Sequence, residues 1–282
     1  TAANKGYLTS ATDLADIEYT HPKYFFDKAI YDRRVYNGVG KADPSVEIKF
    51  GPNIKDWPEM VPLTDNLLLK VASVIHDPVT TTDELIPSGE TSSYRSNPLG
   101  LAEFTLSRKD PEYVGRAKAI QAVEKVREAG ECMGKAFPEV KEVMHAIKEK
   151  FEDVCGSNTG VGSTIYAVKP GDGSAREQAA SCQKVLGGWA NIAKEYATKR
   201  YRSNLINWGM LPFVIDKDFD FDNDDYVFIP GIKDAVKNKT EVIKAYVVNK
   251  DFAEIELRLG ELTDDERQII TDGCLINYYK YN

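Results

Sequence analysis

The chain has 282 residues, with 44 acidic and 36 basic side chains and a formal net charge of −8 at pH 7. This acidic balance argues against a nucleic-acid-binding protein, which usually carries a basic excess. No apolar run approaches the roughly 20 residues that a membrane-spanning helix requires, and no signal-peptide pattern opens the chain. We therefore expect a cytoplasmic globular protein that binds neither nucleic acid nor membrane, although local arginines still permit an anionic substrate.

The first hundred residues hold eight of the thirteen prolines. Within them, Pro52, Pro58 and Pro62 exclude a continuous helix or a central strand. We expect residues 1–65 to form an extended linker or arm and residues 66–282 to form the folded domain.

Strand-like and helix-like patterns alternate from residue 67 onwards. Apolar and β-branched runs predict strands at 67–75, 163–168, 189–193, 210–215, 242–248 and 252–259. Caps, prolines and apolar stripes predict helices at 110–129, from 138 to about 151, up to 185, through 200–208 and from 263 onwards. This order is typical of an α/β or α+β layered domain with an antiparallel element near its end.

Local sequence patterns suggest an interpretation for three further polar features. Asp110 followed by Pro111 indicates the start of a helix with Asp110 as its cap. His145 is interpreted as a packed or solvated histidine beside an apolar stripe. The acidic run 216–225 is interpreted as a solvated loop, with a metal site as the alternative.

The cysteines are widely spaced and include no C-x-x-C pair; they are Cys132, Cys155, Cys182 and Cys274. This spacing is not that of a zinc or iron–sulfur site. We therefore expect free thiols in a reducing compartment and no metal ligands on this chain.

A glycine turn at residues 171–174 lies between a predicted strand and a predicted helix. Backbone N–H groups at a helix N-terminus favour anions, and this turn adds the hydroxyl of Ser174 and the guanidinium of Arg176. The combination suits a small carboxylate or phosphate ligand. Because Ser174 and Glu177 also have the spacing of a capping box, a purely structural cap is the alternative.

Three stretches resemble landmarks of the aconitase superfamily, in order and at nearly matching spacing over roughly residues 65–215. The run GDGSAREQAA at 171–180 resembles the family's Gly-x-Gly-Ser-Ser-Arg-Glu-His-Ala-Ala motif. Residues 81–83 (TTD), 88–89 (SG) and 94–95 (YR) resemble the family's Thr-Thr-Asp-His-Ile stretch and its following Phe-Arg. Leu-Gly-Gly at 186–188, Ser-Asn-Leu at 203–205 and Gly-Met-Leu-Pro-Phe at 209–213 resemble three further landmarks.

The resemblance implies an α/β fold, namely the swivelling β/β/α domain of the aconitase C-terminal or isopropylmalate isomerase small-subunit type, after an extended N-terminal arm. It implies a hydro-lyase that dehydrates and rehydrates a hydroxy di- or tricarboxylate. The family's [4Fe-4S] cluster is then expected on N-terminal cluster-binding domains, in the same polypeptide or in a large subunit. This chain alone is expected to be inactive, and its proline-rich arm favours a fragment over a natural small subunit. A non-catalytic anion-binding or regulatory module on the same fold is the alternative.

The family's functional residues carry over by position. Ser174 matches the catalytic serine, which as an alkoxide removes a proton from the carbon next to a carboxylate. Arg95 and Arg176 match arginines that bind substrate carboxylates through paired planar hydrogen bonds. Asp83 and Thr82 are assigned supporting roles. The alternatives are a surface salt bridge for Arg95 and a turn or cap for Asp83.

The chain departs from the family motifs at three positions. Ala175 replaces a second serine, and Glu84 and Gln178 replace histidines. These departures leave the substrate open between a tricarboxylate such as citrate and a related hydroxy acid.

Overall fold

The computed structural model describes residues 5–8, 10, 20–34, 38–47, 49–174 and 176–281, without the side chain of Arg176. It divides into two compact units, Thr1–Lys49 and Phe50–Asn282. In the first unit, helix α1 (Lys28–Arg34) is the regular element of the described residues. The predicted boundary between arm and domain at residue 65 stays a prediction, since the second unit here begins at Phe50.

The second unit contains nine strands and ten α-helices in its described residues. The strands are β1 (Asn66–Ile75), β2 (Thr80–Thr81), β3 (Thr159–Ala167), β4 (Pro170–Asp172), β5 (Gly188–Ala193), β6 (Leu211–Val214), β7 (Tyr226–Ile229), β8 (Ile243–Val247) and β9 (Ala253–Leu257). The helices are α2 (Thr82–Leu85), α3 (Pro98–Ala102), α4 (Tyr113–Glu128), α5 (Met133–Ala136), α6 (Pro138–Lys150), α7 (Arg176–Val185), α8 (Lys199–Asn207), α9 (Ile232–Lys237), α10 (Asp264–Asp272) and α11 (Leu275–Tyr281). No helix in the described ranges combines the length and apolar character needed to cross a membrane.

Seven of the strands form one mixed sheet in the order β6-β5-β3-β1-β7-β8-β9. Strands β1, β3, β5 and β6 are parallel, whereas β7, β8 and β9 extend the sheet in antiparallel pairs. Val214 and Arg258, which belong to the two edges of the sheet, exchange backbone hydrogen bonds of 2.8 and 2.9 Å. The sheet is therefore curled, and the predicted α/β class is confirmed.

The central strands are buried on both faces, which explains their continuous apolar sequences. Every residue of β3 is buried. In β1, Leu67 and Leu69 join the core cluster that contains Phe213 and Ile255, whereas Leu68 joins the cluster packed against α4 and α6. This alternation follows from the two-residue period of a strand. The sheet consequently forms a rigid layer whose strand ends can position loops.

Asp110 does not cap a helix, so that prediction is wrong. Helix α4 begins at Tyr113, and Asp110 Oδ2 accepts a hydrogen bond from Ser73 Oγ at 2.6 Å and forms an ion pair with Arg116. The carboxylate thus fastens α4 to β1, which a local sequence pattern does not reveal. The predicted end of this helix is confirmed, because Gly130 follows it with φ of +74°.

The acidic run 216–225 is only partly the solvated loop that the sequence predicted. Asp225 is buried, accepts a hydrogen bond from Asn249 Nδ2 at 2.7 Å and pairs with Lys250 Nζ at 3.2 Å. Phe221 is buried in the core cluster inside the curled sheet. The run is therefore a connecting segment held in place by buried contacts. The strand that follows it, β7, was not among the predicted strands.

Candidate active site

The candidate site lies at the edge of the sheet where β1 and β3 end. Because these strands are parallel, their chains leave the sheet on the same side. The departing chains then pair again as the short parallel strands β2 and β4, with Thr80 opposite Pro170 and Thr81 opposite Asp172. Two sequence segments that lie about ninety residues apart are thereby brought side by side.

The turn after β4 requires glycine at two positions. Gly171 has φ of +93° and Gly173 has φ of +130°, a region that other residues adopt only under strain. A Cβ atom on Gly171 would overlap the ring of Tyr201, and one on Gly173 would overlap the hydroxyl of buried Thr82. Thr82 therefore packs directly against the backbone of the turn.

Side chains from α7, β5 and α8 hold this turn in place. The hydroxyl of Thr198, which caps α8, donates to the carbonyl of Gly171 at 3.2 Å. The hydroxyl of Tyr201 accepts hydrogen bonds from Gln183 Nε2 at 2.9 Å and Asn191 Nδ2 at 2.8 Å. Since Tyr201 is fully buried, burial raises its pKa, and its ring forms a neutral, fixed support for Gly171.

Ser174 is exposed at the end of the turn, and α7 begins two residues later. Glu177 Oε1 accepts a hydrogen bond from Trp208 Nε1 at 3.1 Å. The choice between a ligand-facing hydroxyl and a capping box at Ser174 stays a prediction. Ala175 and the side chain of Arg176 lie outside the described residues, so the clamp predicted for Arg176 stays a prediction.

Arg95 lies beside the first turns of α7. It lines a small cavity of about 40 Å³ together with Trp57, Glu177 and Gln178. The ring of Trp57 packs against that of Trp208 at an interplanar angle of 42°, with centroids 4.4 Å apart. Among the described residues, no carboxylate forms an ion pair with Arg95, which disfavours the salt-bridge alternative.

Asp83 belongs to a hydrogen-bonded network beside the turn. Its Oδ1 accepts hydrogen bonds from the backbone N–H and the hydroxyl of Ser88, both at 2.9 Å. Its Oδ2 pairs with Arg108 Nη1 at 2.9 Å, and Arg108 also binds Glu90 at 2.9 Å. The hydrogen bonds from Ser88 and the charge of Arg108 hold the pKa of Asp83 below its usual value. Sequence analysis did not find Arg108, because no motif links it to Asp83.

Asp83→Asn is expected to destabilise the protein at pH 7 by up to about 1 kcal/mol, because the Asp83 side chain is half exposed. The pKa of Asp83 is lower in the folded state than the ordinary 3.8. Its stabilising contribution is therefore complete above the ordinary pKa and is lost as the pH falls through the folded-state value. Urea unfolding of wild type and variant at pH 7, 5 and 3 measures this difference.

An exposed aspartate outside any ion pair of the described residues, Asp220, provides the matched control. Asp220→Asn is expected to leave the free energy of unfolding unchanged at all three pH values. A difference between Asp83→Asn and wild type that is the same at pH 3 and pH 7 contradicts the assigned network.

The described residues of this chain do not fit an iron–sulfur cluster. They contain no group of three His, Cys, Asp or Glu side chains that could hold a metal ion. Cysteine ligands bind as thiolates, whereas burial raises the pKa of Cys182 to about 12 and Cys132 is exposed elsewhere.

Comparisons with known proteins place these features in a family context. Residues 148–218 match the model of the aconitase C-terminal domain, a span that includes the glycine turn but not Thr82, Asp83 or Arg95. The chain is 31% identical over 132 residues to aconitate hydratase A of Rickettsia bellii (strain RML369-C), covering 44% of this chain and 15% of that protein. The chain thus matches a small part of that relative's length.

A solved structure, the crystal structure of 3-isopropylmalate dehydratase (leuD) from Methanocaldococcus jannaschii, is also similar. The similarity covers 76% of this chain and 93% of that chain, with 23% sequence identity and a TM-score of 0.47.

Proposed function

We propose that this chain is a C-terminal domain of the aconitase superfamily and that it contributes the serine base and the carboxylate-binding arginines of a hydro-lyase. The reaction is the dehydration and rehydration of a hydroxy di- or tricarboxylate. The pairing of β2 with β4 is the observation that supports this most, because it brings Thr82 and Asp83 beside the turn that bears Ser174.

Ser174 is proposed to remove a proton from the carbon next to a substrate carboxylate. An alcohol is a weak base in water, so its alkoxide needs stabilisation from the site. The N-terminus of α7 carries a partial positive charge and presents backbone N–H groups next to Ser174. Donors of this kind contribute roughly 3–4 kcal/mol each in a site from which water is excluded.

Arg95 and Arg176 are proposed to bind the carboxylates of the substrate. A guanidinium holds a carboxylate through two parallel hydrogen bonds, which fixes the orientation of the carbon that loses its proton. Arg108 is not assigned this role, because Asp83 and Glu90 already bind it. Asp83 and Thr82 are proposed to position the loop and the turn rather than to contact substrate.

The remaining part of the active site is proposed to come from N-terminal cluster-binding domains, in the same polypeptide or in a large subunit. A [4Fe-4S] cluster there would supply a Lewis acid for the departing hydroxyl. Ser174 and Arg95 are exposed here, as expected for residues that face another domain. The chain alone is consequently proposed to be an inactive half of the site.

The chain by itself is expected to bind citrate or isocitrate weakly, with a Kd of about 1 mM or higher. Trp57 lines the cavity of Arg95 and packs against Trp208, so tryptophan fluorescence can follow the titration. Arg95→Gln is expected to weaken binding about tenfold, since hydrogen bonds to charged groups contribute roughly 1.5–3 kcal/mol. The matched control Arg33→Gln, an exposed arginine on α1, is expected to change nothing.

Phosphate is titrated in parallel to test the alternative function. Binding in the micromolar range without any other domain would favour a regulatory anion-binding module. Equal binding by wild type and Arg95→Gln would contradict the proposed clamp.

A further inference from the structure

A second cavity lies away from the candidate active site, between the end of α4, helix α5 and one side of α6. We call it the α6 cavity; its lining includes Met133, Val140, Lys141, Met144 and Lys148. Its volume of about 400 Å³ falls within the range of roughly 300–1,000 Å³ that is usual for small-molecule sites. None of its lining residues takes part in the proposed hydro-lyase chemistry.

The floor of the α6 cavity is apolar. Met133, Val140 and Met144 are buried members of the core cluster beneath α4 and α6. Methionine side chains are flexible and polarisable, so they adapt to an alkyl chain. The floor therefore provides a surface suited to hydrocarbon.

The rim of the α6 cavity is cationic. Lys141, His145 and Lys148 follow one another at four- and three-residue spacing, which places them on one side of α6. Both lysines are exposed, and within the described part of the chain neither has a carboxylate partner. Arg127 is bound by Glu124 at 2.6 Å, and Glu131 is the one carboxylate among the described lining residues. His145 is 77% exposed and its Nδ1 lies 3.5 Å from Glu149 Oε1, so it is a solvated histidine and is not counted among the cations of the rim.

Charge and burial together specify one kind of occupant. The chain carries a net charge of −8. Two lysines without a carboxylate partner nevertheless create a local positive field above the apolar floor, and this field attracts an anion. An inorganic anion would leave the methionine floor exposed to water, whereas a neutral hydrocarbon would leave the lysines without a partner. We propose that the α6 cavity binds a medium-chain fatty-acid anion, with its alkyl chain on Met133 and Met144 and its carboxylate between Lys141 and Lys148.

Octanoate is the probe for this site, and Cys132 is the reporter. Cys132 is exposed and lines the cavity, whereas Cys182 and Cys274 are buried and serve as internal controls. Octanoate is expected to slow alkylation of Cys132 in a saturable manner, as measured by mass spectrometry of its peptide. The same titration by calorimetry yields the Kd.

Two pairs of substitutions separate a specific site from general charge. The double variant Lys141→Gln with Lys148→Gln is expected to raise the Kd for octanoate about tenfold, because it removes both cations at exposed positions. The control Lys125→Gln with Lys237→Gln removes the same charge elsewhere on the surface and is expected to leave the Kd unchanged.

Octanol, which lacks the carboxylate, and citrate, which lacks the alkyl chain, are the comparison ligands. The proposal is supported if octanoate binds at least tenfold more tightly than either. Octanol binding as tightly as octanoate, citrate protecting Cys132 equally well, or equal binding by the two double variants would each overturn it. All of these outcomes are independent of Ser174 and Arg95, so they leave the proposed hydro-lyase function untouched.

Discussion

Ser174→Ala is expected to reduce turnover of the proposed hydro-lyase, assembled with its cluster-binding domains, by about 10²- to 10⁴-fold, the usual range for loss of a general base. The Ser174 hydroxyl is the group of the turn that is proposed to remove the proton. We therefore expect its loss to lower kcat. KM is expected to change little, because the arginines and not Ser174 are proposed to bind the carboxylates of the substrate. Steady-state kinetics on the cluster-loaded enzyme, with cluster content measured for each preparation, provides the test.

The matched control is Ser203→Ala, a serine on α8 that has no assigned role. It is expected to keep wild-type kcat. Ser174 is exposed, so its replacement is also expected to leave the urea midpoint unchanged. Turnover that survives Ser174→Ala would falsify the base assignment, whereas a loss of turnover accompanied by a lower urea midpoint would indicate a structural role for the hydroxyl.

Gly171→Ala is expected to lower the free energy of unfolding by about 2–6 kcal/mol. A non-glycine residue at φ of +93° carries strain of roughly 1–3 kcal/mol. Overlap of the new methyl group with the ring of Tyr201 adds roughly 1–3 kcal/mol, because Tyr201 is fully buried and held by two hydrogen bonds. Urea unfolding followed by circular dichroism measures the change.

Gly115→Ala is the control for this substitution. Gly115 lies within α4 on the exposed side of the helix. A Cβ atom added at this position would have no neighbouring atom within 4 Å. Alanine at such a position is expected to stabilise the protein by up to about 1 kcal/mol. Opposite signs for the two variants support the close packing of the turn, and equal effects contradict it.

Local pattern predicted most of the regular elements of the domain. Strand β1 is a run of apolar residues long enough to be recognised without any partner, and the Thr263 capping box marked the start of α10. Gly130 and Gly209 were recognised as helix ends, and both have positive φ values. Such signals are local, because the period of a side-chain pattern and the identity of a cap involve only neighbouring residues.

The sequence also located one segment of the candidate site. The glycine turn was found from the spacing of its glycines and from the order of strand, turn and helix around it. The matched family model covers this segment, and the roles of Ser174 and Arg176 stay predictions. Their chemistry could be proposed from residue type alone, since a helix N-terminus, a hydroxyl and a guanidinium lie within a few positions.

What the sequence alone determined, then, is the α/β class, most strands and helices, and a resemblance to the aconitase superfamily. Tertiary structure alone decided that Thr82 packs against Gly173, that Asp83 pairs with Arg108, and that Asp110 fastens α4 to β1. These contacts join residues 25 to 91 positions apart or link different elements, so no local pattern contains them. The physical reason is that the parallel pairing of β1 with β3 brings the segments that follow these strands to one edge of the sheet, where side chains distant in sequence come into contact.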